Sequence, residues 1–122
     1  MTFNFKRMKN KQGFLYETDD WEQIDSQVKR QVIAYDDTMM MVKVHFESGG
    51  VGSIHSHLHT QATYVAKGIF EVTIDGQTQV LKEGDSFFVA SHLEHGLTCL
   101  EQGLLIDVFT PYRKDFIEKV SQ

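Results

Sequence analysis

Three histidines stand at alternate positions in the stretch HSHLHTQ, and Gln61 follows two residues after the last of them. Successive side chains of an extended strand point to opposite faces, so His55, His57, His59 and Gln61 would project from one side. The chain has three further histidines, all in its middle part: His45, His92 and His95. A solvent-facing polar strand would account for a single H-x-H pair, whereas three histidines in register favour a metal site that draws ligands from several strands.

The size and charge of the chain limit what such a site can serve. Its 122 residues fit one domain, and the formal charge of -5 argues against non-specific binding to nucleic acid. No run approaches the roughly 18 apolar residues of a membrane span, and no apolar core follows the first basic residues as in a signal peptide. We therefore expect a cytoplasmic protein without membrane contact. The single cysteine, Cys99, lies in an apolar-rich run and is expected to be a buried, inert thiol.

Strand patterns dominate the chain from about residue 28 onward. The stretches VKRQVIAY and MMMVKVHF predict two strands joined by a turn at Asp36 and Asp37. GIFEVTIDGQTQVL predicts a hairpin with its turn at Asp75-Gly76, and SFFVA and LLIDVFT predict two more strands. Many short strands of this kind indicate an all-β antiparallel jelly roll.

The two ends of the chain carry the helix signals. WEQIDSQV is compatible with a short helix or a loop, within an N-terminal extension, residues 1–27, that we expect to pack on the barrel. Near the other end, Thr110 and Pro111 predict the cap and first residue of a short C-terminal helix with Phe116 and Val120 on one side. Residues 28–122 are then expected to form a single domain.

The stretch LLIDVF places an acidic side chain among apolar ones. Alternation puts Leu105, Asp107 and Phe109 on one face of the predicted strand. That face lies either outside, where an exposed carboxylate costs nothing, or inside, and the residues alone slightly favour the outer position. Arg113 has two interpretations as well, because a surface ion pair with Asp115 or Glu118 would also explain it.

The spacing of the histidines and glycines resembles the two sequence motifs of the cupins. The first motif of that family is a glycine, H-x-H, a glutamate and a second glycine, and every position matches here except that Gln61 replaces the glutamate. The matching residues of both motifs are Gly49, His55, His57, Gln61, Gly68, Gly84, Asp85 and His95. Three further positions depart from the family's pattern and affect turns more than metal chemistry: Ala90 for a proline, His92 for a glycine and Cys99 for an asparagine.

The resemblance implies a cupin double-stranded β-helix, a jelly-roll barrel, with His55, His57, Gln61 and His95 as ligands of one metal ion. Imidazole nitrogen and amide oxygen suit divalent Ni, Zn, Fe or Mn better than Ca or Mg, which prefer oxygen alone. His59 shares the face of the other two histidines and would either replace a ligand or lie beside the site. Because these ligands are neutral, they leave the metal charge uncompensated, which favours an anionic substrate.

Within the cupins, the chain most resembles small pectin-degradation proteins that linearise unsaturated uronates released by polysaccharide lyases. The stretches LKEGDSFFVASHLEHG and LLIDVFTPYRKDF carry much of this resemblance. It implies that Asp107, Phe109 and Arg113 line the pocket and act on a small anionic sugar, and that the protein is a homodimer. We expect Asp107 to take a proton from the substrate and later return one. Tyr112 departs from the second proline that is commoner in that family.

Two other functions remain compatible with a cupin site. One is an iron-dependent dioxygenase, and the other is a non-enzymatic module that binds a sugar or a metal. The sequence also leaves open the role of His92, and whether the uronate derives from pectin, alginate or a glycosaminoglycan.

Overall fold

A computed structural model describes Lys9 and residues 13–118 of the chain. Within this range the protein is built almost entirely of antiparallel strands. The elements are β1 (Glu22–Gln23), β2 (Val28–Tyr35), β3 (Met40–Phe46), β4 (Val51–His55), β5 (Thr60–Ile74), β6 (Gln77–Lys82), β7 (Ser86–Val89), β8 (His95–Thr110) and α1 (Lys114–Ile117). The prediction of an all-β jelly roll is confirmed.

Two long strands, β5 and β8, each run through both sheets of the barrel. The first half of β5 pairs with the second half of β8, and these halves lie between β3 and β7 in a sheet ordered β1-β2-β3-β8-β5-β7. The remaining halves pair with each other in a second sheet ordered β4-β8-β5-β6. Because the two sheets share these strands, side chains on their inner faces meet in one interior.

The strands β5 and β8 change sheet where they lie against each other at two glycines. The pairing register shifts repeatedly between Val65 and Phe70. Gly68 has a φ of 90°, and a Cβ atom there would lie 2.6 Å from the backbone of Gln102 and Gly103. Only glycine allows this close approach, so the second glycine of the sequence motif marks the bend of the barrel.

The predicted turns between strands are confirmed. β2 and β3 pair in antiparallel register around the turn at Asp36 and Asp37. β5 and β6 form the hairpin closed by Asp75 and Gly76, both with positive φ, as a two-residue turn between twisted strands requires. Local turn chemistry therefore sets the register of the second hairpin, whereas the register of the first also shifts between Val32 and Ala34.

The core forms two apolar clusters along the interior. One is centred on Phe70, which packs edge-to-face on Phe46 with ring centroids 5.4 Å apart. The other surrounds Met40 and Phe109 beneath α1, whose Ile117 is buried against them. The polar residues described below lie in the same interior, next to these clusters.

The predictions for the two ends of the chain need correction. WEQIDSQV forms neither a helix nor only a loop, because Glu22–Gln23 pairs with Lys29 and Arg30 as a short edge strand. Pro111 does not begin the helix, which starts at Lys114. Before it, Arg113 has an extended backbone, and the carbonyl oxygen of Tyr112 accepts a hydrogen bond from the His59 ring. Val120 lies outside the described residues, and in the range 13–118 no helix is long and apolar enough to cross a membrane.

Candidate metal centre and adjoining cavity

Three histidines meet at one end of the barrel. His55 ends β4 and pairs with His95 at the start of β8, while His57 lies in the loop that leads to β5. One ring nitrogen from each of the three lies within 4.8 Å of the others. The structure thus brings together three of the four predicted ligands, from the strands β4 and β8 and the loop between β4 and β5.

The same kind of backbone contact orients each of the three rings. The Nδ1 atoms lie 2.7 Å from the carbonyl oxygen of Ser53 for His55, 3.0 Å from that of His59 for His57, and 3.0 Å from that of Leu93 for His95. A carbonyl oxygen only accepts, so Nδ1 carries the proton and Nε2 of a neutral ring is left as an acceptor. Such contacts fix the tautomer of histidines that bind metals.

Burial keeps the inner rings neutral. It lowers the pKa of His57 to about 4, with Arg113 and His95 as further causes. Burial is also the main reason that the pKa of His95 is lowered. Neutral imidazole is the form that can bind a metal ion, so the environment favours the ligand state over the protonated state.

Gln61 supplies a fourth acceptor to the cluster. Its amide nitrogen donates to Oγ1 of Thr63 at 2.9 Å and to Oδ1 of Asp107 at 3.4 Å. Its carbonyl oxygen Oε1 is therefore turned towards Nε2 of His57, 3.2 Å away. With Nδ1 of His57 as the donor, both facing atoms are acceptors, an arrangement that a shared cation would stabilise.

The donor set fits a divalent transition metal. Nε2 of His95 is buried and has no hydrogen-bond partner among the described residues, which is costly for a polar atom in a protein interior. Together with the facing acceptors of His57 and Gln61, it leaves lone pairs directed at one region. Three imidazoles and an amide oxygen are the ligand types of Ni, Zn, Fe or Mn.

His59 lies beside the cluster and is turned away from it. Its Nε2 contacts the carbonyl oxygen of Tyr112 at 3.0 Å, and its ring centroid lies 5.3 Å from that of His57. Its Nδ1 is buried without a partner in the described range. The sequence left open whether His59 replaces a ligand or lies beside the site, and in the structure it lies beside the site.

A cavity of about 380 Å³ opens from the histidine cluster into the barrel. Its walls are largely apolar, with a few polar groups, as is typical of sites for small molecules. Six of the seven residues predicted from the sequence line it: His55, Gln61, His95, Asp107, Phe109 and Arg113. His57 contacts it through Gln61 and the ring of Phe109, 5.9 Å between centroids.

Asp107 faces inward, so the outer position that the residues alone favoured is wrong. Its side chain is buried between Leu105 and Phe109 on β8, and Oδ1 accepts a hydrogen bond from Thr63 at 2.6 Å. Burial raises the pKa of Asp107 to about 6, although the Thr63 hydroxyl, the nearby Arg113 and the Gln61 amide act in the opposite direction. A carboxyl group in this state can both release and accept a proton near neutral pH.

Arg113 meets both descriptions that the sequence allowed. It pairs with Asp115 through Nε at 3.0 Å and Nη2 at 2.9 Å, as a surface residue would. Yet its side chain is only 13% exposed, and the guanidinium lies over the rings of Phe116 and Phe109 at 4.3 and 5.1 Å from their centroids. The ion pair and the stacking hold this cation at the cavity wall.

Two residues of the site were missed by reasoning from the sequence. Thr63 hydrogen-bonds to both Gln61 and Asp107, and Arg30 lines the cavity with its guanidinium 3.7 Å from the centre of the Phe116 ring. A signal for both was present. Each is a polar residue two positions along its strand from a buried valine, Val65 for Thr63 and Val28 for Arg30, and therefore on the same face.

The fold and the site define a cupin. Residues 42–109 match the family model described as Cupin domain, and the chain belongs to this family. It is 42% identical over 106 residues to the pectin degradation protein KdgF of Dickeya dadantii (strain 3937), which covers 85% of this chain and 96% of that protein.

Two solved structures are similar over nearly their whole length. An RmlC-like cupin from Shewanella frigidimarina NCIMB 400 superimposes with a TM-score of 0.85 at 41% identity, covering 89% of this chain and 99% of that one. KdgF from Halomonas sp. superimposes with a TM-score of 0.83 at 36% identity, covering 87% and 99%.

Proposed function

We propose that this protein is a metal-dependent enzyme that opens the ring of 4,5-unsaturated uronates released by polysaccharide lyases. The observation that carries the proposal is a buried carboxylate, Asp107, in the same cavity as the three-histidine cluster and joined to it through Gln61. The similarity to proteins named for pectin degradation supports an unsaturated uronate as the substrate. Neutral ligands around a divalent ion also favour an anionic sugar.

His55, His57, Gln61 and His95 would hold the metal ion. When bound, the ion supplies Lewis-acid stabilisation to the substrate's carboxylate and the oxygen beside it. The protein's part is to aim the Nε2 atoms of the three rings at one point, through the backbone contacts of each Nδ1.

Asp107 would carry out the proton transfers. When a proton leaves the anomeric hydroxyl, the bond between carbon 1 and the ring oxygen breaks, and the ring oxygen departs as an enolate that gains one proton at carbon 4 to become a ketone. One base that first accepts and then returns a proton serves both steps. Oδ1 of Asp107 is engaged by Thr63, while no described residue forms a hydrogen bond with Oδ2, which leaves that oxygen for the substrate.

Phe109 and Arg113 would shape and charge the pocket. The Phe109 ring is buried between His57 and the guanidinium of Arg113, so it excludes water from the space between them. Arg113 presents a planar cation that can hold a carboxylate or another oxygen of the sugar.

The test follows the loss of ultraviolet absorbance of the unsaturated uronate, generated by a lyase and a glycosidase. It compares metal-loaded wild type, Asp107→Asn, the exposed-site control Glu71→Gln, and buffer alone, because ring opening also occurs uncatalysed. We expect faster loss with wild type and Glu71→Gln, and a rate near that of buffer with Asp107→Asn. No acceleration by wild type with uronates from pectin, alginate or a glycosaminoglycan would refute the proposal, and oxygen uptake with iron present would then indicate an oxygenase.

A further inference from the structure

Thr63 connects the candidate metal ligand Gln61 with Asp107. It lies on β5 directly opposite Asp107 on β8, and its side chain is 2% exposed. Its hydroxyl accepts a hydrogen bond from the Gln61 amide at 2.9 Å and donates one to Oδ1 of Asp107 at 2.6 Å. The paired backbones and the stiff β-branched side chain fix the position of this hydroxyl.

The direction of these hydrogen bonds follows from the number of protons available. A hydroxyl has one proton, and an ionised carboxylate can only accept, so Thr63 donates to Asp107. Its lone pairs then face Gln61, which must present its NH₂ group. The amide is thereby turned so that Oε1 points to His57 and the cluster.

We propose that Thr63 is a positioning residue that sets the orientation of the Gln61 amide for metal binding and holds Asp107 in place for proton transfer. The second half of this inference rests on the proposed function, whereas the first does not. The arrangement also gives a physical reason for glutamine at a position where the cupin motif has glutamate. A carboxylate at position 61 would have no proton to donate to Thr63 or to Asp107.

The test uses two substitutions that separate the hydroxyl from the shape of the side chain. Thr63→Val keeps the shape and removes the hydroxyl, while Thr63→Ser keeps the hydroxyl. Thr73→Val is the matched control, because Thr73 lies on the same strand and, among the residues that the structure describes, its hydroxyl pairs only with that of Thr78, 2.8 Å away. Circular dichroism first establishes that all three variants fold.

The first measurement is the affinity of chelator-treated protein for Co²⁺, with the side-chain amide signals of Gln61 followed by NMR. Loss of contacts that orient metal ligands typically weakens binding about 10- to 100-fold. We expect a loss in this range and a shifted amide signal for Thr63→Val, and near wild-type values for Thr63→Ser and Thr73→Val. An unchanged Co²⁺ affinity in Thr63→Val, or an equal loss in Thr63→Ser, would overturn the role in metal binding.

The second measurement is turnover of the unsaturated uronate. We expect kcat to fall about 10-fold or more in Thr63→Val with little change in KM, and Thr63→Ser to restore it. A Thr63→Val enzyme with full kcat would overturn the role of Thr63 towards Asp107 while leaving the proposed function intact. If wild type itself showed no turnover, the proposed function would fail, and the Co²⁺ result would still decide the orientation of Gln61.

Discussion

The backbone N–H of His92 donates to the carbonyl oxygen of His57 at 2.7 Å, and His92 adopts a φ of 70° to make this contact. Its neighbour Ser91 donates through Oγ to the carbonyl oxygen of Leu58 at 2.5 Å. The turn around residue 92 thus holds the loop that carries His57. This is the position where the cupin motif has a glycine, and His92 keeps the glycine conformation.

Replacing His92 tests the strain at this turn. The left-handed conformation destabilises a residue that has a Cβ atom by about 1–2 kcal/mol. Replacement by glycine removes this cost, but it also lowers stability by roughly 0.5–1 kcal/mol because glycine has greater freedom in the unfolded chain. We expect His92→Gly to be as stable as wild type or up to about 1 kcal/mol more stable. His92→Val should be less stable than wild type, because a β-branched residue adopts a positive φ less readily than histidine. Urea unfolding of chelator-treated protein measures both, and equal stability of the two variants would contradict the prediction.

Metal binding should stabilise the protein without being needed for its fold. The two apolar core clusters do not depend on the histidines, so chelator-treated protein should stay folded with a lower Tm. Saturating Zn²⁺ or Ni²⁺ should raise the Tm, because a ligand at 100 times its Kd contributes about 2.7 kcal/mol. His95→Ala should lose this shift, while His45→Ala, a histidine outside the cluster, should keep it. A shift that survives His95→Ala would place the metal elsewhere.

The sequence predicted most of what local patterns determine. The alternation of apolar residues predicted β3, and Asp75-Gly76 predicted the hairpin of β5 and β6. Both predictions succeeded because these elements depend on residues that are close in the chain. These two features follow from the period of the strand and the conformations that turns allow. The single strand expected for the histidine stretch is wrong, because β4 ends at His55, His57 lies in a loop and Gln61 belongs to β5.

Contacts between distant residues were outside the reach of this reasoning. Thr63 and Asp107 are 44 positions apart, and their hydrogen bond depends on the register of β5 and β8. The predicted start of α1 was also wrong: the helix begins at Lys114, and before it the carbonyl oxygen of Tyr112 accepts a hydrogen bond from His59, 53 positions away. In both places the structure has a tertiary hydrogen bond that local patterns do not predict.

Replacing Gln61 with glutamate, which places a second carboxylate beside that of Asp107, should destabilise the metal-free protein. In Gln61→Glu the buried side chain can no longer donate to Thr63 or Asp107, and leaving buried polar groups unpaired costs about 1–3 kcal/mol, and more when they are charged. The double variant Gln61→Glu with Asp107→Asn restores one amide donor between the two positions. We expect it to regain at least half of the loss in urea unfolding at pH 7.5. A double variant whose losses simply add would show that the two side chains are not coupled.

Cys99 should behave as an inert thiol with a pH-dependent effect on stability. Burial, the largest cause, raises the pKa of this thiol above its ordinary value of 9.0. As pH rises past about 9, the unfolded chain loses the proton first, so the free energy of unfolding should fall there and be unaffected below. The difference in stability between wild type and Cys99→Ala should therefore stay constant from about pH 7 to 8.5 and change above it. Rapid reaction of the native thiol with a disulfide reagent at pH 8 would contradict this account.

Arg113 should be needed as an arginine and not only as a positive charge. Its guanidinium binds Asp115 through two nitrogens and stacks over Phe109 and Phe116, which the ammonium of lysine cannot reproduce. A hydrogen bond to a charged group contributes about 1.5–3 kcal/mol, so kcat/KM for the unsaturated uronate should fall roughly 10- to 100-fold in Arg113→Lys. The exposed neighbour gives the control Lys114→Arg, which should keep full activity. A group that contacts the substrate cannot lose its geometry without affecting turnover or binding. If Arg113→Lys lowers only the Tm and leaves kcat/KM unchanged, the role of Arg113 is therefore limited to its ion pair with Asp115.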